Sequence, residues 1–119
     1  MWEYQIRVLR VLDGDTIDAS VDLGFFTHRN IRIRMYGINT PETRTRDLEE
    51  KKKGLAAKER LKELIDDADK VILKSHGIGK FGRCLGEIFL VDEDDERINV
   101  GDLLISENHA YAYFGGKRH

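Results

Sequence analysis

Three stretches of strict alternation, closed by a proline and followed by a helical repeat, constrain this chain more than any other feature. Trp2, Tyr4, Ile6 and Val8 recur at period two. Ile17, Ala19, Val21 and Leu23 alternate with Asp18, Ser20 and Asp22, and Ile31, Ile33 and Met35 alternate with Arg32, Arg34 and Tyr36. A period of two sends successive side chains to opposite faces, so each run predicts a strand with one buried face. Asp13-Gly14 reads as the turn between the first two strands, and the third begins after Gly24. In Asn39-Thr40-Pro41-Glu42-Thr43, Pro41 has no N–H for a ladder and holds Thr40 extended, so the meander ends in a loop.

From about Leu48 to Ala68 the period becomes helical. Leu48, Leu55, Leu61, Leu64, Ile65 and Ala68 are expected on one stripe, with the charged runs Glu49 to Lys53 and Lys58 to Glu63 in solvent and the helix ragged before Gly54. Val71 to Lys74 and Leu85 to Val91 read as strands around a glycine-rich loop, and Asp92 to Glu96 as an acidic turn. Asn99 suits the cap of a short helix through Glu107, with Val100, Leu103 and Leu104 inward and Asn108 in the left-handed position after it. The predicted class is α+β, mainly β. About five short strands, with a helix between the third and fourth, is the order of an OB-fold: a Greek-key barrel with two helices.

The 119 residues predict one domain, 1–119, and no repeat or linker divides them. One cysteine excludes a disulfide framework or a cysteine-cluster zinc site, and Cys84 reads as a small core residue. No apolar run approaches about 18 residues, so no membrane span is expected. The alternating start lacks a signal-peptide pattern, which predicts a cytoplasmic protein. A net charge of −2 argues against coating nucleic acid by bulk electrostatics, so a polyanion would have to be met locally.

Two motifs mislead. Gly77-Ile-Gly79-Lys-Phe-Gly82 matches a dinucleotide fingerprint, but the residues after it read as a strand where that fingerprint must open a helix. Asp13-Gly14-Asp15-Thr16 resembles the start of an EF-hand loop, but Ile17 stands where the third ligand belongs. His28, His76, His109 and His119 share no metal-ligand spacing.

What remains is a set of polar residues at strand edges: Asp13 to Thr16, Arg34, Asn39 to Thr43, and Lys80-Phe81-Gly82-Arg83. Together they supply two or three hard oxygen ligands, a further carboxylate and two arginines. A phosphodiester repels nucleophiles, and its transition state gathers charge on the phosphoryl oxygens. A divalent cation and planar guanidinium forks stabilise that charge.

Val11-Leu12-Asp13-Gly14-Asp15-Thr16, Ile33 to Thr43 and Lys80 to Gly86 resemble, in order and spacing, the three signature blocks of the staphylococcal nuclease family. Glu107 to Tyr113 is similar to the end of that domain's second helix. The resemblance implies an OB-fold and a Ca²⁺-dependent phosphodiesterase that cuts DNA and RNA to leave a 3′-phosphate. It makes Asp15 a carboxylate ligand of the calcium, the Thr40 carbonyl another, and Asn39 the residue at a second side-chain ligand. Glu42 matches the general base that activates water, and Arg34 and Arg83 match the arginines that hold the phosphate. Lys80 stands beside the nucleotide, and Tyr113 is a candidate for contact with base or sugar.

Asn39 departs from the family's aspartate. It keeps a carbonyl ligand but loses a charge, worth about 4 kcal/mol at 4 Å and a dielectric near 20 before desolvation is counted. Calcium binding weaker by about one to three orders of magnitude is expected. Phe81 replaces a common tyrosine, and the ending Gly115-Gly116-Lys117-Arg118-His119 is similar to short intracellular or phage-encoded members without the third helix. The expected activity is a monomeric, metal-dependent endonuclease of relaxed sequence preference acting on single strands or frayed duplexes. The rival from another class is a member that has lost cleavage and binds nucleic acid or protein. An ordinary OB-fold binder would carry more stacking aromatics than Phe81, Tyr111 and Tyr113.

Overall fold

The alternation ahead of Pro41 folds as the expected meander, in which β1 (Trp2–Asp13), β2 (Thr16–Asp22) and β3 (His28–Met35) pair antiparallel in sequence order. The computed structural model describes residues 2–78 and 82–113. Next come β4 (Ile38–Asn39), α1 (Leu48–Asp67), β5 (Lys70–Ile78), β6 (Cys84–Val91), β7 (Arg97–Asn99), α2 (Val100–Ser106) and β8 (Tyr111–Ala112). The main sheet runs β3-β2-β1-β5-β6-β7. A parallel pairing of β3 with β6, Ile33 opposite Cys84 and Arg34 opposite Leu85, closes the five long strands into a barrel. This is the OB-fold-like α+β architecture. Among the described residues no helix is long and apolar enough to cross a membrane.

Ile17, Ile33, Leu73 and Ile88 meet inside the barrel and are shut off from water, with Leu61 of α1 and Val100 and Leu104 of α2 plugging it. Each such burial contributes roughly 1.5–3 kcal/mol. Cys84 is a core residue, as expected. β1 runs past its period-two segment because bulges between Val8 and Arg10 and between Val11 and Asp13 bend it around the barrel. Trp2, expected on the inward face, is exposed at the free end of the strand.

α1 begins where Asp47 caps it, its Oδ1 accepting from the N–H groups of Glu49 and Glu50 at 3.0 and 3.3 Å. It is continuous through Gly54, and its inward stripe is Gly54, Ala57 and Leu61, continued by the partly buried Leu64, Ile65 and Ala68. Leu48 and Leu55 are exposed, contrary to expectation. At about 100° per residue, positions six and thirteen before Leu61 point away from the barrel. The short helix is capped by Asn99, whose Oδ1 accepts from the Asp102 N–H at 3.1 Å, and Asn108 is left-handed at φ 63°. The segment after Ala110, expected to continue like a helix end, is instead the two-residue β8, which pairs with β4. Elements as short as β4, β7 and β8 show no period.

β6, which begins at Cys84 after the glycine-rich segment, is a strand paired antiparallel with β5 where the dinucleotide fingerprint needs a helix, and Asp13-Gly14 turns β1 into β2. His76 stacks on Tyr36 with ring centroids 4.2 Å apart and shares a 2.9 Å hydrogen bond with Glu87, a packing role.

Candidate active site

The β1–β2 turn and the loop after β4 are stitched together by their own side chains. The buried Asp15 carboxylate accepts from the Thr40 N–H through Oδ2 at 3.0 Å and from the Thr16 hydroxyl through Oδ1 at 3.0 Å. Two residues earlier, Asp13 Oδ1 accepts from the Thr43 hydroxyl. Glu42 therefore lies between two anchors, with its side chain exposed to solvent.

From beneath, the loop rests on α1. A Cβ at Gly54 would come within 2.6 Å of the carbonyl oxygens of both Pro41 and Glu42, so only glycine lets the helix support this backbone. Gly14 has the same reason on the turn, since a Cβ there would meet Ala57 Cβ at 2.8 Å and Thr40 Cγ2 at 3.0 Å.

Arg34 reaches the same place from β3. Its Nη1 donates to the Met35 carbonyl at 2.8 Å and lies 3.6 Å from Asp15 Oδ2, and its Nη2 donates to Asn39 Oδ1 at 3.1 Å. The pair is largely dry, with side-chain exposures of 15% for Arg34 and 9% for Asp15. The hydrogen bonds use two of the guanidinium's five N–H donors, leaving most of the fork for an anion. The structure thus joins Asp15, Arg34, Asn39 and Thr40 through direct contacts, with Glu42 on the same anchored loop.

Arg83 stands farther along the barrel. It precedes β6 by one residue, beside Arg32, and lines an open groove of about 780 Å³ with Arg10, Asp18, Asn30 and Arg32. Arg34 sits opposite Leu85, so the two arginines occupy a diagonal, with backbones about 8 Å apart by strand spacing and rise. In that groove Arg32 holds Asp18 through N–H···O bonds of 2.9 and 3.3 Å, which keep the Asp18 carboxyl below its ordinary value. Lys80 and Phe81 lie outside the described residues. The N–H of Tyr113 donates to the Gly37 carbonyl at 2.9 Å, which carries the chain past β4.

Four contributors were given no role of their own from the sequence. Asp13 and Thr43 anchor the loop, Gly54 supports it, and Tyr111 lies directly across from Asn39, on the same face. Gly54 did carry a signal, because a glycine inside a helix costs about 1 kcal/mol against alanine and calls for a close approach.

Among the described residues no three His, Cys, Asp or Glu side chains converge to hold a metal. The site offers oxygen instead: the Asp15 carboxylate, the Asn39 amide oxygen and Thr40, whose buried hydroxyl has no hydrogen-bond partner among the described residues. Hard, neutral-to-anionic oxygens fit a calcium-like cation that keeps several waters, though with one formal charge among them.

A family profile described as "Staphylococcal nuclease homologue" matches residues 32–119. The chain is 29% identical over 116 residues to Protein ParB of Escherichia coli. It is 26% identical over 115 residues to a micrococcal nuclease of Shigella flexneri. Each comparison takes in 93% of this chain but only 58% and 59% of the respective relative, so the chain spans less than two-thirds of their length.

Proposed function

The chain belongs to the staphylococcal nuclease homologue family, and from that premise we propose that it hydrolyses phosphodiester bonds in DNA or RNA, preferring single strands and working as a monomer. The observation that carries this reading is the doubly anchored loop, in which the exposed Glu42 lies between Thr40, held by Asp15, and Thr43, held by Asp13, with Asp15 itself 3.6 Å from Arg34. A phosphate bound there meets a base on one side and a guanidinium fork on the other.

Water attacks phosphorus, its proton passes to Glu42, and the bond to the 5′-oxygen breaks. That oxygen leaves with a proton from solvent and the 3′-phosphate remains. Arg34 grips the phosphoryl oxygens through the N–H groups it does not spend on Met35 and Asn39, and Arg83 approaches from the neighbouring groove. Lys80 and Tyr113 contact the nucleotide. Charge stabilisation by the arginines supplies most of the rate, with proton transfer to Glu42 adding about 10²- to 10⁴-fold. Asp15, Asn39 and Thr40 hold a Ca²⁺ ion, which when bound neutralises charge on the phosphate.

The test is cleavage of heat-denatured DNA by the pure chain with Ca²⁺, Mg²⁺, Mn²⁺ or EDTA. Glu42→Ala should lose about 10²- to 10⁴-fold in rate. Cleavage indifferent to both EDTA and loss of Glu42 would overturn the mechanism. One observation favours the rival reading of a non-cleaving binder: Asn39 Oδ1 already accepts from Arg34 and brings no charge to a cation. No cleavage by the native chain, with activity appearing in Asn39→Asp, would establish it.

A further inference from the structure

The barrel's outer face continues the site in one direction. On β3, His28, Asn30, Arg32 and Arg34 alternate with the inward Ile31, Ile33 and Met35, forming one outward row. The row is about 20 Å long, in steps of about 6.6 Å, a spacing on the scale of the phosphate repeat of an extended strand. Arg10 of β1 joins it, because Asp18 of β2 pairs in register with Arg10 on one side and Arg32 on the other. One row back, Arg7 is aligned with Ser20 and Asn30. In a chain of net charge −2, this face sets Arg7, Arg10, Arg32 and Arg34 against Asp18 and Asp22.

The row ends at the β2–β3 turn, where Phe25 and Phe26 are fully exposed, at 100% and 102%. Both rings are held there by backbone. Gly24, Phe25 and Phe26 all lie in the left-handed region, with φ of 84°, 53° and 62°. Bulky side chains rarely enter that region. The Leu23 N–H donates to the Thr27 carbonyl at 2.8 Å, the Thr27 N–H to the Gly24 carbonyl at 2.9 Å, and the Gly24 N–H to Asp22 Oδ1 at 2.8 Å. Two adjacent aromatics in a hydrogen-bonded turn, standing in water at the end of an arginine row, match the pairing of stacking platform and basic track that binds single strands.

Building on the nuclease reading, we propose that the Phe25-Phe26 turn stacks bases of a single-stranded substrate a few nucleotides from the phosphate held at Arg34. The intervening phosphates run past Arg32 and Arg10. Stacking reads only the π-face of a base, so the platform is indifferent to sequence. The exposed His28 and Arg29 beside the rings suit a polyanion better than an apolar partner.

The test uses fluorescein-labelled oligo-dT of about two to sixteen nucleotides, a span that covers the site sizes of OB-folds. Binding is read by anisotropy in EDTA, so that nothing is cut. Affinity of the native chain should rise steeply once the strand reaches the turn. Phe25→Ala/Phe26→Ala should weaken binding of the long oligonucleotides about tenfold to a hundredfold, with the difference vanishing for the shortest, and Phe25→Trp/Phe26→Trp should restore it. Unchanged affinity of the alanine variant at every length, while the native chain cleaves and Glu42→Ala does not, overturns the platform and leaves the nuclease reading standing. A native chain that neither binds nor cleaves any oligonucleotide overturns both. A dimer seen by sedimentation, or binding to anionic vesicles, that the alanine variant loses without change in oligonucleotide affinity also overturns the platform.

Discussion

Replacing Gly54 with alanine sets two effects against each other. Alanine is favoured over glycine inside a helix by about 1 kcal/mol. The added Cβ, however, would lie 2.6 Å from the Pro41 and Glu42 carbonyl oxygens, about 0.8 Å short of the 3.4 Å at which ordinary contact begins. The obstacle is backbone, so no side chain can rotate away. Overpacking of this kind costs about 1–3 kcal/mol, which leaves a net destabilisation of roughly 0–2 kcal/mol. The larger effect falls on geometry. If the loop lifts by about 0.8 Å, Glu42 leaves the position set by its anchors, and a displacement near 1 Å can cost about 10²-fold in rate. We expect urea unfolding of Gly54→Ala to show a loss of no more than about 2 kcal/mol, cleavage of denatured DNA to fall about 10- to 100-fold, and the Thr40 amide, bonded to Asp15 Oδ2, to exchange faster with deuterium. Native cleavage together with native exchange at Thr40 would refute this account of Gly54. An activity loss no larger than the unfolded fraction would refute the geometric part alone.

Asn39→Asp adds a carboxylate to the oxygen set and should tighten Ca²⁺ binding by about one to three orders of magnitude, read by calorimetry without substrate. Arg34→Lys keeps a charge near Asp15 but cannot serve Met35, Asn39 and a phosphate with one fork. Its activity should fall by about 10²-fold or more while urea stability drops only modestly. Arg60 of α1 holds Glu107 at the end of α2 through N–H···O bonds of 2.7 and 2.9 Å, which keep the Glu107 carboxyl below its ordinary 4.5. A depressed carboxyl stabilises the fold above its unfolded value, and that contribution is lost as pH falls through the folded value. Glu107→Gln should therefore lower the urea midpoint at pH 7, and the gap from the native chain should close as pH drops below 4.5.

The meander was legible because one face of β2 and β3 is buried and period two comes directly from that. The barrel was legible in the order of strands and helix, but the pairing that closes it was not, because a three-residue parallel contact between Ile33–Met35 and Cys84–Gly86 has no local signature. On α1 the apolar residues misled: Leu48 and Leu55 look like core, but the helix meets the loop and the turn through its smallest residues, Gly54 and Ala57. Residue type narrowed the site to polar residues at strand edges, and the resemblance of their blocks to the staphylococcal nuclease family picked out Asp15, Arg34, Asn39, Thr40 and Glu42 among them. The bond between Asp13 and Thr43 could not be read, since a hydroxyl and a carboxylate 30 residues apart declare a partnership only once the turn and loop face each other.

The two threads between turn and loop also define what could be transplanted. A designer moving this arrangement to another barrel could not carry the segment 39–43 alone. Asp13 and Asp15 would have to come with it, as the pegs to which Thr43 and Thr40 are tied, along with a helix bare at the position of Gly54. The transferable unit is three pieces of chain, and moving any one of them alone would part the peg from its thread.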